Sequence, residues 1–182
     1  MNDTNARMLD AGLAQIANLL DDGRYGDAAV QALDLRRQFP AQAEAARLHA
    51  IALLQLGRIG EAREALEQAR RLAPHSIQVL CNLGSVLLAA GDAGAAVETL
   101  QGAFALAPMH PSVLNGLGNA RRAAGDLAGA RDAYLAATRA APDHVGAWFN
   151  RAAARLALGE YAQADRAARH ASTLAPAHPE GL

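Results

Sequence analysis

Lysine is absent from the 182 residues, and all 17 basic side chains are arginine. That excludes a phosphate-binding loop lysine, a Schiff-base lysine and a lysine base. Cysteine occurs once, at Cys81, so no internal disulfide forms and stability does not depend on an oxidising compartment. Aromatic residues make up only 4% of the chain, so the core is built from small and aliphatic side chains. The start, MNDTNARMLD, has no basic stretch leading into an apolar one. No later apolar run is long enough to cross a bilayer without Gly, Pro or charge. The expectation is a protein with no membrane partner and a cytoplasmic location. A net charge of -1, with both signs interspersed, lacks the basic footprint of a nucleic-acid binder.

What is present in quantity is alanine, within a hydrophobic fraction of 52%. Alanine is the best helix former, and helices that meet through Ala and Gly approach closely, so the composition predicts an all-α fold. The order within the chain is a period of 34 residues. Gly23, Gly57, Gly91, Gly125 and Gly159 form one column, and Pro40, Pro74, Pro108, Pro142 and Pro176 another. One unit, Ile77 to His110, reads as a helix, a glycine turn, a second helix and a proline-bearing loop. The expected organisation is a single domain. It comprises a polar lead-in (1–8) with Asp3 or Thr4 as N-cap, and repeats at 9–42, 43–76, 77–110, 111–144 and 145–178. Residues 179–182 begin a further unit, as expected for part of a longer array.

The columns resemble the tetratricopeptide repeat (TPR) family across residues 9–178. Small residues stand at position 8 of repeats two to five (Ala50, Gly84, Gly118, Ala152) and at position 20 throughout (Ala28, Ala62, Ala96, Ala130, Ala164). Position 27 is Ala69, Ala103, Ala137 and Ala171 after the divergent Leu35, and Ile16 likewise departs from position 8. Small side chains at these places allow close helix approach independently of any family, and a Leu there overpacks the contact. The resemblance implies a right-handed superhelix whose first helices line a concave groove, each repeat touching only its neighbours.

On that reading, positions 2, 5, 6, 9 and 12 form the groove floor. They supply Arg47 in repeat two, then Cys81, Asn82 and Ser85, then Asn115, Asn119 and Arg122, then Phe149 and Asn150. Asparagine donates and accepts at once, so a row of amides can pair with an extended peptide whatever its side chains. Asn82 and Asn150 match the position-6 amide of TPR superhelices resembling that of the O-linked N-acetylglucosamine transferase, whereas repeat four has Gly116. The bland alternative is that these amides bond within the protein. The TPR clamp for an acidic C-terminus is disfavoured: Arg47 and Asn82 match it, but Ile51, Ser112 and Gly116 do not.

Three arginines break the apolar pattern: Arg121 and Arg155 at position 11 and Arg151 at position 7. With Arg122 they define a candidate anion site. The alternative is that their stems cover apolar surface and their heads pair with Asp132 or Asp165. His110, His144 and His178 share a loop position but are about one ~10 Å packing step apart, too far to share a metal, so they read as loop caps. Cys81 reads as a small half-buried hydrophobe, with a reactive thiol as the alternative. Glu61, Glu64 and Glu67 lie on one arginine-interleaved helix without an opposed carboxylate, and no catalytic motif, metal set or cofactor motif occurs.

The expected function is therefore a non-catalytic scaffold that binds a peptide or protein segment. The alternative is the N-terminal recruiting arm of a larger bacterial enzyme such as a glycosyltransferase, sulfotransferase or hydroxylase. The alanine-rich Ala162–Leu174 segment adds the expectation of a monomer or at most a weak homodimer.

Overall fold

The computed structural model describes residues 3–175. Within them lie ten α-helices and no strand: α1 (Asp3–Asp21), α2 (Tyr25–Gln38), α3 (Ala43–Gln55), α4 (Ile59–Leu72), α5 (Ile77–Ala89), α6 (Ala93–Leu106), α7 (Pro111–Ala123), α8 (Leu127–Ala140), α9 (Val145–Ala157) and α10 (Tyr161–Leu174). Odd-numbered helices are the first helices of the repeats and even-numbered ones the second. Pro176, His178 and the expected further unit at 179–182 fall outside the described residues. The chain divides into two compact units, Met1–Gly91 and Asp92–Leu182, the division falling at the turn of the third repeat.

The lead-in expected at 1–8 is corrected. Helix α1 already runs from Asp3, so Thr4 is inside it and not its cap, and Asp3 accepts a hydrogen bond from Arg7 Nη2 one turn on at 3.1 Å. An acidic residue in the first turn also suits the helix dipole, which is why the polar stretch is helical.

The glycine column has one physical cause. All five glycines take φ between 72° and 85°, the left-handed region that a side chain disfavours, and no other residue type does so among those described. In the first turn Gly23 N donates to Leu20 O at 3.1 Å and Arg24 N to Leu19 O at 2.8 Å, which satisfies the last carbonyls of α1. Arg58, Asp126 and Glu160 close the later turns in the same way. The second helices end before the proline-bearing loops, and Ser76, Asp92, Asp126 and His144 cap the following helices through their side chains.

Size complementarity packs the helices. Ala28, Ala62, Ala96 and Ala130 are fully buried and Ala164 nearly so. In the first unit the divergent Leu35 is matched by a glycine on the facing helix. Leu35 occupies the space that Gly12 leaves, and a Cβ at Gly12 would stand 2.8 Å from Leu35 Cδ1. Large and small residues have exchanged places across the α1/α2 contact, inside a core with Leu9, Ile16 and Leu48. In the second unit Tyr134 is fully buried over Gly118, where a Cβ would collide with the ring. It packs with Ala130 and Ala154, while Leu114, Ala137 and Ala147 form a companion cluster. Ala164, Ala167 and Ala171 of the expected α10 association face are buried within this unit.

One polar network interrupts the first unit's core. Arg36 on α2 donates to His49 Nδ1 on α3 and to Gln68 Oε1 on α4. An accepting Nδ1 requires a neutral ring carrying its proton on Nε2. Burial, then the charges of Arg36 and Arg58, push the His49 pKa down to about 4 against a weaker opposing pull from Glu61. A histidine depressed in the folded state takes up its proton first in the unfolded chain. The stabilisation is therefore full above the ordinary histidine pKa and lost as the pH falls from about 6.5 towards about 4. We expect urea midpoints to drop across that window by the equivalent of roughly 1–2 kcal/mol, and His49→Leu to flatten the profile.

Candidate functional site

In the first unit, α3 and α5 enclose a cleft of about 200 Å³ whose walls include Ile51, Leu54, Gln55, Asn82, Ser85 and Val86. It is apolar except at one edge. Asn82 Nδ2 is buried there and has no hydrogen-bond partner among the described residues. A buried amide donor left unpaired costs on the order of 1–3 kcal/mol, so this group is unsatisfied in a way that most buried polar atoms are not. Ser85 is exposed, and its hydroxyl donates back to Cys81 O at 3.1 Å. Arg47 is not a free cation: its Nε donates to Glu44 Oε2 at 2.7 Å and its Nη2 to Oε1 at 2.5 Å. Its charge is neutralised within its own helix.

The second unit treats its asparagines differently. Asn150 Nδ2 donates to Asn115 Oδ1 at 3.0 Å, a hydrogen bond between side-chain amides on the first helices of neighbouring repeats. Asn119 Oδ1 accepts from the Tyr134 hydroxyl at 2.7 Å. Burial raises the Tyr134 pKa, while hydrogen bonding and charge from the exposed Arg122 oppose it, so Asn119, Tyr134 and Arg122 act together. Gly116 stands where the amide row breaks, and a Cβ there would lie 3.2 Å from Leu100 Cδ2, so a side chain at this position requires Leu100 to shift. Phe149 is 49% exposed beside Asn150.

Of the arginines expected to form an anion site, Arg121 is engaged within its own repeat, donating from Nη1 to Gly129 O at 3.3 Å, with Asp126 Oδ2 4.0 Å from its Nε. Gly129 permits this: a side chain there would crowd the Arg121 stem. The acidic partners named as alternatives are taken by other residues, Asp132 by Arg131 and Asp165 by Arg169. Arg151 and Arg155 do share a cleft, of about 400 Å³ between α9 and α10. Trp148, Gln163, Arg166 and His170 join them there, and sequence reasoning did not assemble these four. The available signal was their common spacing on two helices, at positions 4, 19, 22 and 26 of the repeat.

The histidine column divides. His144 Nδ1 accepts from Ala147 N at 3.0 Å and caps α9, whereas His110 makes no side-chain cap at α7. Among the described residues no group of three His, Cys, Asp or Glu side chains is placed to hold a metal, and no helix is long and apolar enough to cross a membrane. Glu61 and Glu67 are engaged by Arg58 and Arg70 at 2.6 and 2.7 Å.

The tetratricopeptide repeat model matches residues 13–77, 81–144 and 116–179. The chain is a tetratricopeptide repeat protein. A search of the curated proteins finds no match. Among solved structures, residues 41 to the end of MamA from Desulfovibrio magneticus RS-1 align at 19% identity over 99% of each chain, with a TM-score of 0.77. PilF of Pseudomonas aeruginosa aligns at 19% identity over 94% of this chain and 78% of its own, with a TM-score of 0.84. YrrB, described as a TPR protein with an unusual peptide-binding site, aligns at 19% identity over 92% and 86%, with a TM-score of 0.67. At such identities these likenesses establish the TPR fold alone.

Cys81 is the single thiol of the chain and lies on α5 beside Asn82. Burial pushes its thiol up to about 11, which removes almost all thiolate at neutral pH. Reaction of this single cysteine with a disulfide reagent at pH 8 is expected at least about tenfold slower in the native protein than in urea-unfolded chain. Equal rates would mean that the thiol is exposed.

Proposed function

We propose that this TPR protein is a protein-interaction scaffold, and that it holds an extended peptide against the cleft between α3 and α5. The observation that carries the reading is the buried, unpartnered Asn82 Nδ2 at the edge of an apolar cleft of about 200 Å³. Such a site takes one aliphatic side chain among Ile51, Leu54 and Val86 while a peptide carbonyl accepts from the amide. Binding then supplies the hydrogen bond that folding leaves unmade. Gln55 and the Ser85 hydroxyl stand beside the path and offer further polar contacts. That the similar structure YrrB has a peptide-binding site supports the reading.

The second unit offers the same class of surface in a different state. Its Asn115–Asn150 bond fixes one amide row, and the exposed Phe149 beside it provides an apolar contact for a passing segment. The role proposed is one of binding.

Selection from a random 12-residue peptide library, followed by calorimetry, tests this. Enriched peptides should share an aliphatic position and lose about tenfold in affinity to Asn82→Leu, which removes the donor and keeps the volume similar. Peptides that bind Asn82→Leu as well as the parent would refute the cleft as the site.

A further inference from the structure

The outer cleft of the second unit has a counterpart in the first, and the comparison shows what is unusual about it. Three repeats separate the two, so each lining residue has an equivalent 102 positions away in the sequence. In the first unit's cleft the position-7 and position-11 residues are His49 and Leu53, and the second helix contributes Glu61, Glu64 and Gln68. That cleft is charge-balanced from within: Arg36 reaches in from the preceding second helix to bond His49 and Gln68, although its Nε is buried without an acceptor among the described residues, and three arginines face three glutamates around it.

In the second unit every one of these positions has changed. His49 is replaced by Arg151, Leu53 by Arg155, Glu61 by Gln163, Glu64 by Arg166 and Gln68 by His170. The place of Arg36 is taken by Thr138, whose hydroxyl is too short to enter and instead accepts from Arg151 Nη1 at 3.2 Å. Among the described residues the cleft is lined by three arginines and no carboxylate. The nearest is Glu160, whose Oε2 lies 3.4 Å from Arg155 Nη1 while its Oε1 is held by Arg131 at 2.8 Å. Arg155 is only 14% exposed, and the Nε atoms of both Arg151 and Arg155 are buried with no acceptor among the described residues. Arg166 spends its Nε on Ala162 O at 3.2 Å, and its side chain is exposed at the mouth.

We propose that this cleft binds a phosphoryl group, with Arg151, Arg155 and Arg166 as its ligands and Trp148 as its wall. Guanidinium groups bind phosphate oxygens in pairs of parallel hydrogen bonds, and three converging cations match a dianion better than a single carboxylate. The Trp148 ring fixes the site's shape: Arg151 Cζ lies 5.0 Å from its centroid, His170 packs against it at 4.1 Å, and its indole N–H is tied to Pro142 O at 2.8 Å. Burial, and then repulsion from Arg155 and Arg139, pull the Arg151 pKa down, a strain that a bound anion would relieve. The site is separate from the peptide cleft of the first unit, and neither proposal depends on the other.

Trp148 is the sole tryptophan, so its emission reports this cleft alone. The test titrates inorganic phosphate into the full chain against sodium chloride of equal ionic strength, with succinate as a dicarboxylate control. A short phosphoserine peptide and its unphosphorylated form provide the remaining arms. The expected result is a saturable change with phosphate, absent with chloride and at least fivefold weaker with succinate. Arg166→Gln, at an exposed position that leaves helicity intact, should weaken phosphate at least threefold, and Arg155→Gln at least tenfold. Tighter binding of the phosphopeptide than of inorganic phosphate assigns the group to a protein partner, and equal binding assigns it to the free ion. A change that chloride reproduces, succinate binding as tight as phosphate, or wild-type affinity in Arg166→Gln and Arg155→Gln would overturn the proposal.

Discussion

Everything in this protein depends on how closely the two helices of a repeat can approach. Alanines at position 20 bring the backbones together, and the remaining space is divided between a large and a small partner. Gly118 exists for Tyr134, and Leu35 fills what Gly12 leaves open. The pairings differ between repeats, and in each a large side chain fills the space that a glycine leaves, as a close-packed interior requires. The ring that fills the Gly118 space also extends a hydroxyl to Asn119 and brings it near Arg122. A packing constraint thereby sets the orientation of polar residues on the surface.

An interior of small side chains leaves little room for buried chemistry, so functional variation moves to the clefts between helices. There the two units have taken opposite routes. In one pair of equivalent clefts, the first unit inserts its own Arg36, balances the charge and fixes a neutral His49, while the second gathers three arginines with Glu160, shared with Arg131, beside Arg155. On the first-helix faces the pattern is reversed: Asn82 is left unpaired, whereas Asn115, Asn119 and Asn150 have partners. Ligands are proposed at two of the places where buried donors lack acceptors, Asn82 in the first unit and the Arg151 and Arg155 pair in the second.

The turns and close contacts were legible in the sequence because each demands a residue type. A left-handed φ calls for glycine, a helix that must stop calls for proline, and backbone contact calls for alanine. The fate of the polar residues was less legible because it is decided by neighbours from other helices. Arg121 and Arg155 share a repeat position, yet Gly129 lets Arg121 fold back onto a carbonyl, while Arg155 faces Gln163 and Arg166 across a cleft. Asn119 and Asn82 looked alike until Tyr134 claimed one of them. The start of α1 was misread for a simpler reason: polar residues at a helix N-terminus are favourable, so polarity there does not mark a loop.

The most direct test of the packing account is a double-mutant cycle at Gly118 and Tyr134, read by chemical unfolding. Gly118→Ala alone should destabilise by about 1–3 kcal/mol, since overpacking against the ring outweighs the gain in helix propensity. In a Tyr134→Leu background, where the ring is gone, the same Gly118→Ala change should cost nothing or stabilise. An equal cost in both backgrounds would contradict the claim that paired side-chain volumes set the helix approach.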